Sequence, residues 1–220
     1  MPPAELHSVD LGDAQPGQVL NTLPNYKAIT QSLDTSIGRL LEEVDLEETT
    51  VIFIGDNGTP GDQKDTGTGV RSSKGSVYEG GVRVPLIVAG AGVTRRGRED
   101  ALVGSADLYA TILSLAGLPV SHVENSYSVK PLFSDEAATS GRTHSFSETQ
   151  SANGQTQRYA IRDSRYKLLS NNKVRELYDL LDDPLETTNL YASAEHSAVR
   201  AALESEIAAL APDAPDGYFP

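Results

Sequence analysis

Three residues carry side chains that could do chemistry together: Asp56, Asn57 and Lys74. Asp56-Asn57 stands at the carboxyl end of the apolar run Val51-Ile52-Phe53-Ile54, which reads as a strand buried on both faces, as in a parallel sheet covered by helices. In open α/β sheets, ligands bind in the crevice outside such strand ends. A carboxylate and an amide oxygen are hard donors that suit Ca²⁺ or Mg²⁺ rather than softer metals. Asp-Asn-Gly is also a common turn, and these residues alone favour that blander reading. Lys74 lies downstream, in the glycine-rich stretch Ser73 to Arg83 that leads into a second apolar run, Val84 to Ala89. A flexible ammonium near a divalent cation suits an oxyanion such as sulfate or phosphate. Without that context, Lys74 reads as a solvated loop lysine.

The elements that must hold these residues follow from periodicity. Ile29, Leu33, Ile37, Leu40, Leu41 and Val44 recur at helical spacing, so the sequence predicts an amphipathic helix from Lys27 to Val44. The first strand, a long polar loop over 59–81 and the second strand follow it. Ser105 or Asp107 is placed to cap a further helix running to about Ala116, where Gly117 and Pro119 supply a stop. Helix, strand, loop, strand and helix in this order indicate an α/β layered domain over 1–140. From about residue 141 to 220 the pattern changes to short half-polar strands, with a tight turn at Asp163-Ser164, and a final helix from Ser193 to Leu210. That region reads as a separate subdomain, a small antiparallel sheet with a packed helix.

Composition narrows the function classes. The 220 residues carry 18 basic and 31 acidic side chains, a net charge of −13, which argues against nonspecific binding to nucleic acid or an anionic membrane. No apolar run approaches the ~20 residues of a membrane span. The start, Met1-Pro2-Pro3, has no signal-peptide pattern, and compartment stays open. Zero cysteines exclude disulfides, thiolate metal sites and a cysteine nucleophile. His122, His144 and His196 are scattered without metal-ligand spacing, Asp182-Asp183 reads as a turn, and Arg71 as a solvated loop arginine.

In their order and spacing, several stretches together resemble the sulfatase family of the alkaline-phosphatase-like superfamily. They include Asp56-Asn57-Gly58, the segment Lys74-Gly75 to Gly80-Gly81-Val82-Arg83-Val84-Pro85, and Ala106-Asp107-Leu108-Tyr109-Ala110-Thr111. Tyr166-Lys167-Leu168, Glu176-Leu177-Tyr178-Asp179-Leu180 and Asp183-Pro184 with Glu186 to Leu190 extend the likeness to the C-terminal part. The resemblance implies a partial alkaline-phosphatase-like α/β sheet flanked by helices, then a small antiparallel sheet with a helix. It implies that Asp56 and Asn57 are the second pair of metal ligands, for Ca²⁺ ahead of Mg²⁺, and that Lys74 contacts the sulfate as a catalytic, substrate-binding group. The substrate would be a sulfated small molecule or carbohydrate.

The family's nucleophile is a formylglycine made from Cys or Ser in Cys/Ser-X-Pro-X-Arg, and no such motif is present. An upstream Asp-Asp pair and a His-Thr-Pro-like motif are also missing, and His7 does not take that histidine's role. The expectation is therefore a C-terminal half that is inactive alone and needs the N-terminal half of the same fold. A phosphodiesterase or phosphonate hydrolase on the same scaffold is the alternative enzyme, and a non-catalytic fragment or pseudoenzyme the alternative of another class.

Overall fold

A computed structural model describes residues 2–12, 22–61, 69–120, 125–150 and 157–210. Helix α1 covers Leu23–Glu42, and Thr22 caps it by accepting from the Asn25 N–H while Pro24 occupies its first turn. The buried face of α1 is Asn25, Ala28 and Ser32. The apolar stripe expected to face a core instead points outward, with Ile29, Leu33 and Leu40 about half exposed or more.

Strand β1, Thr50–Ile54, pairs with β2, Leu86–Gly90, from Thr50↔Gly90 to Ile54↔Leu86. The pairing is antiparallel, which corrects the expectation of parallel strands. Among the described residues between them the chain holds only the four-residue helix α2, Glu79–Val82, rather than the longer crossover helix usual between parallel neighbours. Burial on both faces is also not observed. One side of β2 presents Val88 to a cluster of Val129, Leu132 and Phe133, while Ile87 on the other side is 59% exposed.

Helix α3, Asp107–Leu115, is anchored by its first residue. Asp107 does not cap its own helix forward: its carboxylate accepts from Gly104 N, 2.8 Å, and Tyr127 N, 2.9 Å. It also takes a two-pronged bond from Arg142, whose Nε and a terminal nitrogen lie 2.8 and 2.6 Å from the two oxygens. Arg142 additionally donates to the carbonyls of Asn125 and His144. The pair ties the α3 layer to the chain entering the C-terminal sheet.

That sheet is the meander β3 Ser145–Gln150, β4 Gln157–Arg162, β5 Tyr166–Asn171 and β6 Val174–Asp179, antiparallel throughout. Asp163 shapes the β4–β5 turn by accepting from the N–H groups of Arg165 and Tyr166. Asn172 and Lys173, with φ of 53° and 71°, form the two-residue β5–β6 turn, whose backbone twist matches the strands. Strand alternation gives the sheet two working faces. Tyr159, Ile161, Leu168 and Leu177 pack on Leu203 and Ile207 of helix α4, Ser197–Leu210. Ala160, Leu169 and Tyr178 point the other way and receive Val77 and Tyr78 from the glycine-rich loop. Among the described residues no helix is long and apolar enough to cross a membrane.

Two outcomes follow for stability. Asp107→Asn leaves the buried Arg142 without its carboxylate, so urea unfolding should show a loss of about 3–5 kcal/mol. Burial alone would raise the Asp107 carboxyl, but the bonds from Arg142 and the two N–H groups outweigh it and hold the folded-state pKa below the usual value. Its contribution is therefore present above the unfolded pKa of about 3.9 and lost as pH falls through the folded value, and the mutant's deficit should shrink over that acid window.

Candidate active site

The Asp56-Asn57 turn is fastened to the chain segment that carries Lys74 by the backbone. Gly55 N donates to Pro85 O at 2.9 Å, Gly58 N to Gly81 O at 2.9 Å, and Lys74 N to Thr59 O at 3.0 Å. The approach is close enough to demand glycine. A Cβ on Gly58 would stand 1.9 Å from Gly80 O, one on Gly80 2.4 Å from Arg71 O, and one on Gly81 2.2 Å from Ser76 O. The glycine-rich stretch is thus a packed backbone layer beneath the turn.

Asn57 Nδ2 donates to Asp56 Oδ2, which turns the amide oxygen away from that carboxylate contact. Asp56 is exposed and Asn57 half-buried at the end of β1, and Lys74 is exposed in the loop. A cleft of about 1000 Å³ is lined by Asp56 together with Glu79, Arg83, Arg162 and Lys167 among others; Lys74 is not part of its wall. The three residues singled out by sequence therefore share one backbone framework, with Asp56 facing the cleft.

As a metal site the donors are chemically apt but few. Two hard-oxygen side chains are offered, against the roughly 6–8 oxygens calcium takes. Among the described residues no group of three His, Cys, Asp or Glu side chains could hold a metal ion. With zero cysteines and no Ser-X-Pro-X-Arg sequence, the chain offers no residue for a formylglycine. His144 Nδ1 contacts Thr143 Oγ1 and His196 Nδ1 contacts Ser193 Oγ, ordinary polar pairings, while His122 lies outside the described residues.

A second constellation lies directly behind the loop, and sequence reasoning did not find it. Lys167 Nζ, on the loop-facing side of β5, is 2.9 Å from Glu79 Oε1. It is also 2.9 Å from Glu186 Oε1, near enough for charge pairing though outside hydrogen-bond geometry. Glu186 Oε2 accepts from Glu79 N at 2.7 Å, and Arg162 approaches the other Glu79 oxygen at 3.4 Å. Lys167 is 1% and Glu186 0% exposed, so this is a buried charge cluster.

Arg71 belongs to a neighbouring cluster and is no solvated arginine. It donates to Tyr178 Oη at 2.5 Å, Tyr78 Oη at 3.1 Å and Glu186 O at 2.7 Å, and its guanidinium lies 4.2 Å from the centre of the Tyr78 ring. Both tyrosine hydroxyls donate to Glu176, which pairs with Arg71 at 3.3 Å. Burial first, then the Glu176 carboxylate, push the Tyr178 hydroxyl well above its ordinary pKa, so it stays a proton donor. The available signal was Lys167 itself, a lysine beside Leu168-Leu169 on a strand whose two faces are both covered.

Comparisons with known proteins bear on the family and the fold. A family model described as Sulfatase matches residues 7–118, and one described as N-sulphoglucosamine sulphohydrolase, C-terminal, matches residues 72–213. Arylsulfatase K of Gallus gallus is 29% identical over 210 residues, covering 85% of this chain and 38% of that protein. The chain thus spans less than half the length of the curated relative. Two solved structures share its fold. BT4656, described in complex with its substrate D-glucosamine-2-N,6-O-disulfate, has a TM-score of 0.69 at 24% identity, covering 88% of this chain and 42% of that one. The phosphonate monoester hydrolase of Agrobacterium radiobacter has a TM-score of 0.65 at 24% identity, covering 86% and 42%. The partial alkaline-phosphatase-like sheet followed by an antiparallel subdomain is therefore the observed fold class. Two family models, each matching half of the chain or more, show that it belongs to the sulfatase family.

Proposed function

We propose that this chain is the C-terminal part of a sulfuric ester hydrolase and carries part of its metal and sulfate site. The observation that carries the reading is the trio of backbone bonds from Gly55, Gly58 and Lys74, which sets Asp56-Asn57 beside the Lys74 loop. Asp56 would give a carboxylate and Asn57 its amide oxygen to a divalent cation, calcium ahead of magnesium. When bound, that cation polarises the anionic ester oxygens. Lys74 would bring a mobile ammonium against the sulfate, matching its charge without a fixed fork. The division at 140/141 goes with this reading, the first part bearing these three residues and the second supporting the loop.

Turnover needs a nucleophile from outside this chain, so the partner is an N-terminal half of the same fold. A sulfated carbohydrate is the substrate class that the likeness to BT4656 favours. A phosphonate or phosphodiester hydrolase is the second reading, kept by the likeness to the Agrobacterium enzyme. Side-by-side turnover of an aryl sulfate and a phosphodiester by the full-length protein separates the two. If neither is hydrolysed, the chain belongs to a binding protein.

Substitutions test the assigned roles. In the full-length protein Asp56→Ala should abolish calcium-dependent turnover, and Lys74→Ala should lower kcat/KM on an aryl sulfate by about 10²–10³-fold, the usual loss of one charge-stabilising group. Unchanged kinetics in Lys74→Ala would remove it from the site. Gly58→Ala should cost about 1–3 kcal/mol in urea unfolding through the collision with Gly80 O. Gly38→Ala, whose new methyl meets nothing within 4 Å in α1, should be neutral or stabilising by up to about 1 kcal/mol.

A further inference from the structure

The loop bearing Lys74 is gripped on both sides by one residue of the C-terminal part. Before Lys74, Arg71 donates to the Glu186 carbonyl at 2.7 Å. After Lys74, the N–H of Glu79 donates to the Glu186 carboxylate at 2.7 Å. Lys74 itself lies exposed between these two holds, with its own N–H on Thr59 O. We propose that Glu186 is a positioning residue for Lys74, with Lys167 fixing the Glu186 carboxylate from behind. The proposal rests on the sulfatase reading of Lys74 given above.

Three observations favour a positioning role over simple cohesion. Glu186 is a fully buried carboxylate, and buried ion pairs are poor sources of net stability compared with apolar packing, so its place needs another reason. Its backbone is left-handed, with φ of 57°, and Ser72 across the loop is left-handed too, at 64°. Left-handed backbone is costly for a non-glycine residue and persists where the surroundings over-determine it. Both residues line one small cleft of about 570 Å³ with Gly69, Arg71 and Leu185. Finally, the bonds made by Glu186 are directional and converge on backbone or guanidinium groups of the loop, which fixes register as well as distance.

The test is a double-mutant cycle in the full-length protein, combining Glu186→Gln with Lys74→Ala and reading kcat and KM on an aryl sulfate. Glu186→Gln keeps the size and one oxygen acceptor but removes the charge facing Lys167. It should lower kcat by about 10–100-fold, the scale of a roughly 1 Å misplacement of a reacting group. In the Lys74→Ala background the same substitution should cost less than about twofold, because the group it positions is gone. Equal losses in both backgrounds would overturn the proposal, since a general structural defect does not depend on Lys74. No loss from Lys74→Ala alone would instead sink the reading of Lys74 as the sulfate contact, and the positioning role with it.

A readout without catalysis guards against ambiguity. Native-state trypsin cleavage after Lys74, followed by mass spectrometry, should be about tenfold faster in Glu186→Gln than in the parent as the loop opens locally. Unchanged cleavage would count against the proposal whatever the kinetics. Should Glu186→Gln fail to fold, Arg71→Lys loses the fork on the Glu186 carbonyl and both tyrosine hydroxyls while keeping the charge. The same cycle and the same cleavage assay then apply, with the same expected and contrary outcomes.

Discussion

The cluster of Lys167, Glu79 and Glu186 is the constraint on which the rest of the described structure turns. One ammonium sits 2.9 Å from an oxygen of each carboxylate, all three side chains being almost fully withdrawn from water. Arg162 reaches Glu79 from the edge, so the four charges balance. Desolvating such groups costs several kcal/mol each, and the arrangement survives because the charges are mutually paired. Burial still pushes the Glu186 carboxyl upward, against the pull of Lys167 and the Glu79 N–H. A sheet face that could have been wholly apolar thus holds a loop by directional charge contacts, with Val77 and Tyr78 adding apolar contact around them.

The consequence runs outward to the chemistry. The sheet fixes Glu79, the segment through α2 brings Gly80 and Gly81 beneath Gly58, and Gly58 fixes the Asp56-Asn57 turn at the end of β1. Backbone contacts in this chain leave no room for a side chain, so the register of turn and loop is set by steric exclusion as much as by hydrogen bonding. Lys74 is left exposed at the surface of this assembly, and its reach comes from its own flexible stem. Rigid support beneath a mobile cation suits recognition of a tetrahedral anion whose bulk varies from substrate to substrate.

Much of this was legible in the sequence, for physical reasons that can be named. The short strands and final helix expected beyond about residue 141 are found as the meander β3–β6 and α4, and the turn expected at Asp163-Ser164 lies between β4 and β5. Asp56-Asn57 and Lys74 stood out because their residue types suit cations and anions, and backbone bonds join the two segments. What escaped was set by tertiary context. A continuous apolar run such as Val51–Ile54 does not state which direction its neighbour runs, and β2 proved antiparallel. The stripe Ile29, Leu33 and Leu40 promised a buried face, yet the described chain buries Asn25, Ala28 and Ser32 instead. Arg71 and Glu186 lie over a hundred residues apart, and no local pattern could announce that they meet.

In the proposed reading, Asp56, Asn57 and Lys74 form one cation and sulfate site. A crystal structure of the full-length protein grown with calcium and inorganic sulfate tests it most directly. The expected result is a cation within about 2.3–2.6 Å of oxygens from both Asp56 and Asn57. A sulfate oxygen should lie about 2.7–2.9 Å from Lys74 Nζ in the same crystal. A cation bound elsewhere, or a sulfate in the active site with Lys74 turned away from it, would rule out a shared site of these three residues.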